Sequence, residues 1–222
     1  MEILFSIIGS VIATFILSVI GFLRKWIPFR FFAPVTDVGV EKIFKNQKSA
    51  IPSIIKDLEK SKFIRVLAMK GETFSKPNKD ENPFYDIICT KNIEQKYLVS
   101  SINNPYLEKR GEELGDIENM ESCVILSVRN FLSIQKKHND EIFKIRLHEE
   151  VVRFRIILLE NYLYLSFQEI GKTGKSTSIL KIKKGSPMYV NFSSLFDDLW
   201  ERYKNKEVNK LTINSLLSKP NR

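Results

Sequence analysis

VVRFRIILLENYLYLSF, residues 151–167, reads as two strands joined by a tight turn. Val152 to Leu159 is a β-branched and apolar run, Tyr162 to Gln168 follows with aromatics, and Glu160-Asn161 supplies the turn between them. Successive strand side chains point to opposite faces, so Arg153 and Arg155 share one face of the first strand. Paired guanidinium groups can grip a phosphate bidentately without doing chemistry on it. The alternative is that they form ion pairs with Glu149, Glu150 or Glu160, or face solvent, as charges on strand faces commonly do.

Outward from this hairpin the second half of the chain continues as strands. Glu141 to Leu147 precedes it with Arg146 on what reads as the neighbouring strand, and Thr177 to Lys183 follows the Gly171-to-Gly174 turn. Pro187 then opens an amphipathic helix, Met188 to Tyr203, with Met188, Phe192, Leu195, Phe196, Leu199 and Trp200 on one face. The first half alternates instead. Apolar positions from Val38 to Lys60 recur at helical spacing, giving one or two helices split near Pro52. Phe63 to Met69 is a buried strand, Ser75 to Pro83 a loop, Lys96 to Ser101 a strand, and helices follow from near Tyr106 and from Met120 to His138. Alternation first and a run of strands later predicts an α/β sandwich, a mixed sheet flanked by helices. Lys70, with Glu72 and Thr73, ends the first strand of this scheme, and open α/β sheets bind ligands outside the carboxyl ends of their strands.

At the other end of the chain, Ile3 to Leu23 is an uncharged apolar run closed by Arg24, Lys25, Trp26 and Arg30. At about 1.5 Å per residue its helix would measure roughly 31 Å, the thickness of a bilayer core, which predicts one transmembrane helix. Cations flank only its C-terminal side, so the positive-inside bias predicts a single-pass protein of the inner (cell) membrane, its N-terminus outside and its large domain cytoplasmic. A cleaved signal peptide would carry its positive charges before the apolar core, and a buried core helix would show a polar stripe. Arg24, Lys25, Trp26 and Arg30 would form an interfacial belt. Ser6 with Ser10, Gly9 with Ala13, and Thr14 with Ser18 are spaced to let two such helices approach, as in a homo-oligomer; the alternative is that small residues are simply common in membrane helices. The expected organisation is an anchor and juxtamembrane segment over 1–34, a domain over 35–205 and a polar tail over 206–222.

The formal net charge of +9 suits an anionic surface or ligand and does not choose between lipid, nucleotide and nucleic acid. Two cysteines and two histidines, with no ligand spacing around them, predict neither a zinc site nor a cofactor. Gly171-Lys172-Thr173-Gly174-Lys175-Ser176 imitates a phosphate loop, yet the required earlier glycine position holds Glu169 and the segment joins two strands rather than a strand and a helix. It is expected to be a hairpin tip, whose lysines could still touch phosphate.

Arg153, Arg155 and Glu160 also carry a resemblance. The hairpin resembles the catalytic hairpin of the phospholipase D superfamily, where a His-x-Lys-x-x-x-x-Asp motif lies on a strand followed by a short turn and the next strand; this chain has Arg153, Arg155 and Glu160 at matching spacing. FIRVLAMKG resembles the first strand of that fold, YLVSSINNPYLEKRGEELG its strand-then-helix segment in single-copy noncatalytic members, and PMYVNFSSLFDDLWERY their closing helix. The family's histidine is the nucleophile; an arginine, protonated up to a pKa above about 12, cannot attack a phosphodiester, and His148 lies five residues early. The resemblance therefore implies a pseudo-enzyme that keeps a cationic pocket, with Arg153, Arg155, Lys70 and Glu160 as ligand-binding residues.

Three functions follow as expectations. The first is a membrane-anchored, noncatalytic sensor or effector that binds an anionic small molecule, nucleotide or partner, an architecture suited to bacterial antiphage defence or stress signalling. The second is an active membrane phosphodiesterase, phospholipase or nuclease, which would need His138 or His148. The third is a scaffold that docks a protein partner at the bilayer.

Overall fold

The computed structural model describes residues 38–76, 80, 82–115, 117–136 and 141–208. Their elements run β1 (Val40–Phe44), α1 (Gln47–Leu58), β2 (Phe63–Ala68), α2 (Glu72–Ser75), α3 (Tyr85–Thr90), β3 (Glu94–Ser100), α4 (Tyr106–Leu114), α5 (Ile117–Gln135), β4 (Phe143–His148), β5 (Phe154–Leu159), β6 (Tyr162–Phe167), β7 (Ile179–Lys183) and α6 (Pro187–Arg202). The strands form one mixed sheet in the order β1-β7-β6-β5-β2-β3-β4. β2, β3 and β4 are parallel, while the pairs β2–β5, β5–β6, β6–β7 and β7–β1 are antiparallel.

Each face of the sheet has its own core. On one, Ala50, Ile54 and Leu58 of α1 and Val124, Val128 and Phe131 of α5 pack with Ile64, Val66, Tyr97, Val99 and Ile157. Here the Tyr97 ring centroid lies 4.5 Å from that of Phe131 and 5.0 Å from that of Phe143. The Tyr97 hydroxyl donates to Gln95 Oε1 at 2.9 Å, and Gln95 Nε2 donates to the Ile88 carbonyl at 2.9 Å, so these buried polar groups are satisfied. On the other face Tyr189, Phe196, Leu199 and Trp200 of α6 cover Leu67, Leu98, Ile156, Leu158, Leu163 and Leu165.

Several expectations need correction. Val40, Ile43 and Phe44, read as helical, belong to the edge strand β1; helical spacing over five residues is weak, and the partner β7 sits far away in sequence. α1 is one continuous helix with Pro52 inside it. The segment near Ser75 contains α2, and α3 follows the loop. Arg146 does not neighbour the hairpin, because β2 and β3 lie between β4 and β5. Residue 208 is no part of a free tail: Val208 is buried, and its N–H donates to the Ile145 carbonyl at 2.9 Å.

The largest correction concerns the membrane. The expected fold was a sandwich preceded by a transmembrane helix, and the expected location a single pass through the inner membrane. No helix among the described residues is long and apolar enough to cross a membrane, and what stands is an α/β fold built on the mixed seven-stranded sheet. Residues 3–23, on which that reading rested, the packing positions Ser6, Gly9, Ser10, Ala13 and Ser18, and the belt Arg24, Lys25, Trp26 and Arg30 lie outside the described residues.

Candidate anion-binding site

The carboxyl end of β2, the start of β5 and the end of β6 lie together at one end of the sheet, because β5 runs antiparallel to both of its neighbours. A cavity of about 230 Å³ opens there on the face covered by α1 and α5. It is lined by the segment after β2 from Ala68 to Phe74, by Arg155, by Ser166 to Gln168, and by Thr173 to Lys175 of the connection to β7. Lys70, Arg110, Arg155 and Lys175 bring cations to its wall, and Glu72 is the carboxylate among the lining residues.

Arg155 has no carboxylate partner. Its Nη1 donates to Gln47 Oε1 at 2.8 Å, and Gln47 Nε2 in turn donates to Thr73 Oγ1 at 3.1 Å, which fixes the orientation of that amide. Its Nη2 is buried and has no protein acceptor. Burial without a carboxylate pushes the guanidinium down to about 10. Two of the other cations have carboxylate partners. Lys70 lies 3.9 Å from Glu72, and the buried Arg110 lies 2.7 Å from Glu113. Arg110 also donates to the Glu169 carbonyl at 3.0 Å and the Lys172 carbonyl at 2.6 Å, tying the β6–β7 connection down over the cavity.

Local sequence explains the frame. Asn46 caps α1 through a capping box with Ser49, and the Gln47 N–H donates to the Lys175 carbonyl at 3.1 Å, so the start of α1 abuts the hairpin connection. Gly71 turns the chain out of β2 with φ +67°. A Cβ there would stand 2.8 Å from Phe131 Cε2, so this backbone approaches the core more closely than a side chain would permit.

Of the residues expected to bind ligand, Lys70 and Arg155 meet in the cavity. Arg153 shares Arg155's face but pairs with Glu113 and lies 5.3 Å over the Tyr106 ring, half exposed and outside the lining. Its partner comes from α4 rather than from Glu149, Glu150 or Glu160, because α4 packs beside the hairpin's open end. Hydrogen bonding from Arg110 first, then Arg153, holds the Glu113 carboxyl below the ordinary range. Glu160 sits at the opposite end of β5, where it takes the Lys62 N–H at 3.3 Å and the Lys62 ammonium at 3.6 Å. Gln47, Arg110 and Gln168 were missed; neutral amides and a lone helical arginine carry no periodic or motif signal.

The lining holds no His, Cys or Asp, and among the described residues there is no cluster of metal-ligating side chains. His148 is buried outside the cavity lining, edge-on to Tyr203 at 6.3 Å between centroids. His138 lies outside the described residues. The Gly171-to-Ser176 segment joins the antiparallel strands β6 and β7, as expected of a hairpin connection, and contributes Lys175 to the cavity.

Neither a family model nor a curated protein matches the chain. Among solved structures, TrmBL2, an archaeal chromatin protein described as showing a novel mode of DNA binding, is similar over 84% of this chain and 62% of its own, with 12% identity and a TM-score of 0.44. The chain thus spans less than two thirds of that neighbour's length. The expected fold of a sandwich preceded by a transmembrane helix gives way to one described by its mixed seven-stranded sheet.

Proposed function

We propose that this domain is a noncatalytic binding module whose sheet-end cavity takes an anionic small molecule. The observation that carries this reading is Arg155, which lines the cavity and whose buried Nη2 has no protein acceptor. An unmet charged donor away from water costs several kcal/mol or is answered by a ligand; a carboxylate or phosphate oxygen beside Nη2 answers it. Lys70 and Lys175 add charge at the rim, and the start of the twelve-residue α1 adds its dipole.

Titration calorimetry of the full chain against phosphate, sulfate, and nucleoside mono- and diphosphates tests this. At least one should bind in the micromolar to millimolar range, Arg155→Gln should weaken it at least tenfold, and bis(p-nitrophenyl) phosphate should not be hydrolysed. Heatless titrations throughout, or hydrolysis that disappears in Arg155→Gln, would refute the proposal.

A further inference from the structure

We infer that the ligand carries two adjacent phosphoryl groups, a diphosphate that is either inorganic or esterified to a nucleoside. This rests on the anion-binding reading above and deepens it from a second hollow. A space of about 340 Å³ adjoins the cavity and shares Gln47, Glu72, Thr73 and Lys175 with its lining. Lys48 and Lys76 add cations to this second space, and Asp80 brings a carboxylate to it. Lys70 and Lys76 share the Glu72 carboxylate, at 3.9 Å and 3.6 Å. Lys48 and Lys175 are exposed and have no ion-pair partner among the described residues.

Gln47 ties the two spaces together. Its side-chain oxygen accepts from Arg155 Nη1 at 2.8 Å, its backbone N–H donates to the Lys175 carbonyl at 3.1 Å, and Lys48 follows it in α1. Arg155 lines the first space, Lys175 both and Lys48 the second, so cations from β5, the β6–β7 connection and α1 follow one another along the joined hollows around a single residue. The capping box of Asn46 and Ser49 and the Gln47–Lys175 bond fix the backbone that carries both lysines, so these charges are assembled before a ligand arrives. A cleft lined mainly by one sign of charge concentrates counter-charge, and each ammonium meets a phosphoryl oxygen as a mobile point charge. A single oxyanion beside Arg155 leaves Lys48 in the second space unanswered. A second phosphoryl group joined to the first extends the negative charge towards Lys175 and Lys48 and answers both.

Titration calorimetry of the full chain in metal-free buffer at fixed ionic strength, with orthophosphate against pyrophosphate and AMP against ADP, tests this. At least one diphosphate should bind fivefold or more tightly than its monophosphate counterpart, and the pair showing the larger preference gives the source, inorganic or nucleotide. Lys48 lines the second space alone, so Lys48→Gln should weaken the preferred diphosphate at least threefold and leave its monophosphate counterpart within twofold. Lys62→Gln removes the same charge at the opposite end of β5, beside Glu160, and should leave the diphosphate within twofold. A preference below fivefold in both pairs, a smaller loss in Lys48→Gln, or a loss in Lys62→Gln equal to that in Lys48→Gln overturns the inference while leaving anion binding in place. Failure of every phosphate compound to bind removes both readings together.

Discussion

Arg155 shows how a single side chain can be costly to the fold it belongs to. Its Nη1 meets Gln47 while its buried Nη2 has no protein acceptor, so the ligand-free protein keeps a cation incompletely satisfied. Replacing it by Met removes that burden and leaves Gln47 Oε1 without its donor, so the two effects partly cancel. The net expectation is an apo protein about 1 kcal/mol more stable, within the usual range for replacing buried charge by packing. For a chain of this size that raises the midpoint of thermal unfolding by roughly 2–4 °C. Calorimetric melting checks it, and a drop in midpoint would show that the guanidinium is already satisfied. Arg153, two residues away on the same face, has its carboxylate in Glu113 and offers no comparable gain.

At the scale of elements, α1 depends on a residue outside itself. Its N-terminus is closed locally by Asn46 and Ser49, but its C-terminus is closed from a distance: Lys91 Nζ donates to the carbonyls of Leu58 at 2.8 Å, Glu59 at 2.6 Å and Ser61 at 2.7 Å. A cation on the last carbonyls satisfies orphan acceptors and complements the helix dipole. Lys91→Met should cost about 2 kcal/mol, as expected for charge-assisted bonds to backbone oxygens. Amide exchange over the last turn of α1 should accelerate, and an unchanged exchange profile would assign those carbonyls to water instead. Since α1 also presents Gln47 to the cavity, loosening its far end should weaken ligand binding through position rather than contact.

For the molecule as a whole, a buried histidine away from the cavity makes stability depend on pH. His148, at the end of β4, is pushed from 6.5 to about 4 by burial, with the Ala68 and Glu150 backbone and the Glu150 carboxylate opposing that shift. The unfolded chain therefore takes up a proton between these values that the folded one refuses, so stability is full above pH 6.5 and falls as pH drops towards 4. The shift corresponds to about 3 kcal/mol. Denaturant unfolding at pH 7 and pH 4.5 should show His148→Leu losing less stability than the unmodified chain by about 2–3 kcal/mol. Ligand affinity at pH 7 should be unchanged in the same variant, because the imidazole lies outside the cavity lining.

Strand boundaries in the second half, the closing helix and the hairpin connection were legible because each rests on local chemistry: alternation, β-branching, Pro187 at a helix start and glycines at a turn. Lys70 could be placed at a strand's carboxyl end and Arg155 on the right strand by the same means. The identity of their partners could not be read this way. Arg146 and Arg155 look adjacent along the chain, yet two strands separate them in the sheet, since strand order is set by packing both faces at once. Helical spacing likewise misassigned Val40–Phe44, whose strand exists only through β7. Arg153 and Arg155 are equivalent in pattern and become different only when α4 brings Glu113 to one and α1 brings the neutral Gln47 to the other. Local chemistry thus set the elements and put two cations at the sheet end, whereas long-range packing decided which charge was left unmet, because desolvation and pairing depend on neighbours that sequence distance does not encode.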